Sequence, residues 1–174
     1  MKRDTGFILA GQVGKLTQDI YDKFIAQTMD NMELPTPDNP VTFYSDGDDG
    51  YKTSLKKMYA PTCYKFGQLI KVKKNGRLKK VDRHWVVGEG DIKQINTTQV
   101  ENIHGIARGS QSHLVRKTKG FAKKSGRVVK FDELFKVYRN FIKTDKNGRT
   151  PAMKEEVWTV PITWETFFRT HYQT

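Results

Sequence analysis

"GQLIKVKKNGRLKKVDRHWVVG", residues 67–88, decides how this chain is read. Asn75-Gly76 lies between two arms rich in basic and β-branched residues. Asn and Gly accept positive φ at little cost, as a two-residue turn between antiparallel strands requires, so the stretch predicts a β-hairpin. Upstream, "VTFYSDG" (41–47) is a short β-rich run ending in Asp-Gly, set off by the three prolines of "LPTPDNP". "LTQDIYDKFIAQTMDNM" places Leu16, Ile20 and Phe24 at helical spacing behind a Thr17 cap. "TGFILAGQV" (5–13), apolar and punctuated by glycine, predicts a buried strand, and "YKTSLKKMY" one or two helical turns. Downstream, helices are predicted at about 98–117 and 132–143. "TPAMKE" adds a helix start with Thr150 as cap and Pro151 in the first turn, and "TWETFFRTHY" a last amphipathic stretch. Strand, helix, strand, hairpin and then helices predict an α/β domain with a helical tail over 131–174.

The 174 residues suit a single domain, 1–174, long enough to bury a core. The charge balance is the unusual property: 31 Lys and Arg against 19 Asp and Glu give +12. Such a balance points to a polyanionic partner. An acidic membrane surface would require a basic amphipathic helix or a lipid anchor, and neither is evident. The apolar run near the start is too short for a signal peptide or a span, so no membrane partner is expected and the expected location is cytoplasmic. A single cysteine, Cys63, agrees with a reducing compartment and reads as a small buried apolar residue rather than a nucleophile. Two basic runs stand out. Lys65 to Arg83 holds eight Lys or Arg against Asp82 alone, and Arg116 to Lys130 holds seven with no acid. Either could be a solvated face; two of them on so basic a chain favour phosphate contact. Trp85 and His84 could stack on a base, although a Trp at the foot of a hairpin more often packs in a core.

The acids are fewer and more informative. Asp46 stands where a strand runs out, beside Gly47, placed to reach into a cleft. Asp48 and Asp49 read as turn formers, as Asp46 itself would in isolation. A calcium loop is excluded, because Gly50 replaces a needed ligand and Lys57 stands at the twelfth position. Glu101 has an ordinary explanation in the capping box Thr98-Gln99-Val100-Glu101. On the helical wheel, however, Val100, Ile103, Ala107 and Leu114 form an apolar stripe expected to face the core. Glu101, Gly105, Arg108 and Ser112 form another, roughly 140° away. Gly105 and Gly109 weaken that helix by about 1 kcal/mol each relative to Ala, which suggests close approach of a ligand. Mg²⁺ is commonly held by one or two carboxylates plus substrate phosphate, and Asp46 and Glu101 are the candidates for such a site.

At this point the residues resemble a known family. "NTTQVENIHGIARGSQSHLVRKTKGFAKKS" is similar to the segment around the last acid of prokaryotic insertion-sequence transposases with a DDE-type, RNase H-like integrase core. The matching positions are Asn96, Thr97, Val100, Glu101, Arg108, Leu114 to Thr118, Phe121 and Lys123. "FYSDGDDGY" resembles the strand end bearing the second acid, which maps onto Asp46. "TGFILAGQVGKLTQD" resembles the strand and helix before it, and "YRNFIKTDKNGRTPAMKE" the family's tail. The likeness covers nearly the whole chain. It implies an RNase H-like mixed sheet flanked by helices, interrupted by the basic hairpin at 67–88. It further implies Mg²⁺ or Mn²⁺ on Asp46 and Glu101, and cleavage and strand transfer at transposon-end DNA. Arg108, Arg116, Lys117, Lys119, Lys123 and Lys124 would contact the DNA backbone, with the protein acting as a homodimer or higher oligomer among nucleoid-associated proteins. Two departures stand beside it. His104 occupies a position where many members carry Asn. The family's first catalytic Asp belongs on a strand before "TGFILAG", so the chain resembles the C-terminal, N-terminally incomplete part of such a domain, with impaired activity expected. Asp4 falls in the turn between strands and is not expected to replace that acid. A non-catalytic DNA-binding remnant and a basic RNA-binding domain are the rival readings.

Overall fold

The computed structural model describes residues 1–110 and 125–171. They fall into two compact units, Gly14–Ile103 and Met1–Val13 with His104–Thr174.

Gly14–Ile103 contains helix α1 (Gln18–Asp30), strand β1 (Val41–Asp46), helix α2 (Asp49–Met58) and strands β2 (Tyr64–Lys74) and β3 (Arg77–Val87), then a short 3₁₀ turn, Ile92–Gln94. Helix α3 (Thr98–Ser110) begins in this unit. The sheet order is β1-β2-β3, with β1 and β2 parallel and β2 and β3 antiparallel, so the architecture is α/β with a mixed three-stranded sheet flanked by helices. The hairpin forms as the dipeptide predicts. Asn75 and Gly76 have φ of 52° and 75°, the mirror-image turn whose twist suits the flanking strands.

Strand alternation sorts the sheet into two faces. Tyr64 and Phe66 on β2, with Val41 and Phe43 beside them on β1, pack with Ile25 of α1 and with Leu55 and Tyr59 of and after α2 to form the core. Close packing has a local requirement at Gly50, where a Cβ would stand 2.2 Å from the Tyr21 ring. Asp22 ties the two helices together, accepting from Gln18 Nε2 (3.0 Å), Ser54 Oγ (2.6 Å) and Lys57 Nζ (2.6 Å). These donors, Lys57 foremost, hold its carboxyl down at about 2. On the opposite face, the fully buried Ile95 fills the space left by Gly67, 2.8 Å from where a Cβ would be, with the Tyr44 ring beside it. Helix α2, at ten residues, is longer than one or two turns because Asp48 caps it, accepting from Gly50 N at 3.0 Å.

The other unit contains helix α4 (Ser125–Val137), widening into a π-type turn over Tyr138–Ile142, the single turn α5 (Pro151–Lys154) and helix α6 (Trp164–His171). Helix α4 begins seven residues before the predicted 132. Thr150 caps α5 as expected, its hydroxyl accepting from Met153 N at 3.2 Å. The strand predicted for "TGFILAGQV" is not formed. Its apolar residues do seek cover, with Ala10 buried and Phe7 edge-on to Phe141 at 6.0 Å, but no strand lies beside it among the described residues. A side chain supplies the missing ladder. Asn140, buried in the π-type turn, accepts from Ile8 N at 2.9 Å and donates to Ile8 O at 3.0 Å. One amide thus satisfies both polar groups of a residue that a sheet partner would otherwise serve.

Candidate functional site

The three aspartates of "SDGDDG" separate by role. Asp48 is committed to structure: besides capping α2 it accepts from the Tyr21 hydroxyl at 2.6 Å. Burial first, then that bond, raises the Tyr21 hydroxyl well above its ordinary range. Asp49 starts α2. Asp46 closes β1, and the Gln68 amide fixes that strand end by donating to the carbonyls of Asp46 (3.3 Å) and Asp48 (3.2 Å). The Asp46 carboxylate is exposed and has no hydrogen-bond or ion-pair partner among the described residues. It acts on its surroundings through its charge: Tyr51, raised chiefly by burial, is raised further by Asp46 and Asp48.

Glu101 reaches the same region by another route. Asp46 pairs with Leu69 in register, and Lys71 lies two residues further along β2 on the same face, about 6.6 Å on. The Lys71 ammonium is 2.5 Å from Glu101 Oε1, which also accepts from Thr97 Oγ1 at 2.6 Å. A chain of paired residues, Asp46–Leu69–Lys71–Glu101, therefore brings both predicted acids to one face of the sheet near the end of β1. The capping box does not form. The Thr98 amide donates to Asn96 Oδ1 at 2.7 Å, and Glu101, relieved of that duty, turns its carboxylate to Lys71. Its place in the first turn of α3 suits a negative charge at the positive end of the helix. The ion pair is weakly held, with the two side chains 39% and 50% exposed, which limits it to about 0–1 kcal/mol. A phosphate or a cation could displace either partner.

On this face Arg83 lies opposite Leu69 and donates Nε to the Ile95 carbonyl at 3.0 Å. Trp85 is occupied too, donating Nε1 to Gly90 O at 2.9 Å and lying 5.9 Å from the Tyr44 ring. Trp85 therefore packs. The apolar stripe on α3 is not a core face: Val100 is 38% exposed, and no described residue of α3 is buried. Arg108 lies in the other unit, half-buried on the last turn of α3. Arg116, Lys117, Lys119, Lys123 and Lys124 lie outside the described residues. Asp4 sits in the turn at 3–5 of the other unit.

Sequence reading missed Lys71 and Gln68. Both were hidden in the hairpin, and only the parallel pairing of β1 with β2 gives them a place beside Asp46. No group of three His, Cys, Asp or Glu side chains suited to a metal ion occurs among the described residues. Two carboxylates on one face nonetheless suit an ion that takes its remaining ligands from phosphate and water. No helix among the described residues is long and apolar enough to cross a membrane. No family model, curated protein or solved structure matches the chain.

Proposed function

We propose that this chain is a DNA-processing domain of the DDE transposase type, with an RNase H-like core, acting at transposon ends. The observation that carries the reading is the run Asp46–Leu69–Lys71–Glu101, which brings acids 55 positions apart in sequence (101 − 46) to one sheet face. Asp46 and Glu101 would hold Mg²⁺ or Mn²⁺. When bound, such an ion supplies Lewis-acid stabilisation at a phosphodiester. The protein's own groups do the rest. Gln68 holds the strand end that presents Asp46. Thr97 and the start of α3 orient Glu101. Lys71, loosely paired, transfers its ammonium from Glu101 to a non-bridging phosphate oxygen as the strand arrives. Cations further along, Arg108 and the basic run from Arg116 to Lys124, hold the backbone. With two carboxylates rather than three gathered among the described residues, cleavage is expected to be slow.

The test is nicking of supercoiled plasmid in Mn²⁺, with duplex affinity measured in parallel. Slow nicking is expected, lost in Asp46→Asn and in Glu101→Gln while both variants bind duplex as the parent does. Nicking that survives both substitutions would refute the assignment. The second reading, a non-catalytic DNA-binding remnant, is favoured by one observation: the Glu101 carboxylate already has an ammonium and a hydroxyl on it. That reading wins if no nicking occurs and the acid variants keep full affinity.

A further inference from the structure

The distal half of the β2–β3 hairpin is a ribbon that no helix covers. From Lys71 to Lys80 every residue is exposed, and the part beyond Ile70–Asp82 extends roughly 16 Å at strand rise. Lys73, Lys74, Arg77 and Lys79 have no ion-pair partner among the described residues. Lys74 and Arg77 face each other directly across the ladder, an arrangement of like charges that destabilises the pair. The register also slips. Val72 pairs with Lys80 and Lys73 with Leu78, so Lys79 is surplus, a bulge that increases the right-handed twist. Between the cations, Val72 and Leu78 are 46% and 55% exposed.

We infer that this ribbon is a duplex-DNA arm that lies in the major groove and holds the flanking phosphates with Lys73, Lys74, Arg77 and Lys79. The partner follows from shape and composition. Two strands about 4.8 Å apart fit a groove about 12 Å wide, whereas the deep major groove of A-form RNA is too narrow to admit them. Residues 71–80 contain no aromatic side chain, which removes the stacking platform that single strands require. Two exposed aliphatic residues are too few to anchor on a lipid surface but can meet thymine methyls on a groove floor. Phosphate contacts dominate, so binding is tight at low salt and nearly independent of sequence. The choice of DNA rests on the function proposed above.

The experiment uses the full chain and a variant carrying Lys73→Gln, Lys74→Gln, Arg77→Gln and Lys79→Gln, titrated against a random-sequence B-form duplex across a salt series. Each lost phosphate contact flattens the slope of log affinity against log salt by about 0.9, so the variant's slope is expected to be shallower by about 3. Its thermal midpoint is expected to equal or exceed the parent's, because the Lys74–Arg77 opposition is relieved. A shallower slope on B-form duplex, with little change on double-stranded RNA of equal length or on phosphatidylserine vesicles, supports the arm. An unchanged slope overturns it, as does an equal loss on RNA or on vesicles. The Asp46→Asn, Glu101→Gln double variant separates this inference from the site beneath it. If the parent does not nick but the slope still depends on the ribbon, the acids' role falls and the arm stands.

Discussion

Lys71 shows how much depends on one side chain. Its ammonium holds Glu101 in the absence of any other cation, and both partners are half-exposed. Lys71→Met should change stability by less than about 0.5 kcal/mol, as surface substitutions usually do. Mn²⁺ should then bind the acids more tightly, because no ammonium competes for Glu101; titration followed by electron paramagnetic resonance reads this directly. Unchanged Mn²⁺ affinity would show that the ion pair does not occupy the metal's place. None of this was legible from the capping pattern. Thr97 and Thr98 are equally good caps in sequence, and the outcome turned on Asn96, whose amide oxygen captures the Thr98 N–H first.

At the scale of elements, legibility follows the range of the forces. The hairpin was readable because Asn-Gly encodes its turn within two residues. Thr150 and Pro151 encode the start of α5 in the same local way. "TGFILAGQV" was misread because an apolar run reports burial without naming the partner, and here the partner is a side chain 132 residues away. Asn140→Ala tests that bridge. It leaves the Ile8 N–H and C=O without their partner, at about 1–3 kcal/mol. Hydrogen exchange at the Ile8 amide should accelerate while the amides of β2 keep their protection. If Ile8 exchanges as before, the amide bridge contributes nothing.

Across the whole molecule, acid is the informative variable. The Asp22 carboxyl, held at about 2 against an ordinary 3.8, favours the folded state above 3.8, and that contribution disappears as pH falls towards 2. Asp22→Asn should therefore weaken the Gly14–Ile103 unit at neutral pH and flatten its stability profile between about 4 and 2, as followed by circular dichroism. An unaltered acid profile would mean that Lys57, Ser54 and Gln18 hold α1 and α2 together without the charge. The convergence of Asp46 and Glu101 also belongs to this scale. It depends on a parallel pairing between strands separated by a helix, which no local pattern announces.

The surplus residue in β3 has a consequence of its own. Because Lys73–Leu78 and Val72–Lys80 are paired on either side of Lys79, excising that lysine would join two intact rungs into one uninterrupted ladder. The loss of a single codon would straighten the limb while leaving its other contacts in place. Curvature and composition can thus be varied separately here, one by deletion and the other by substitution.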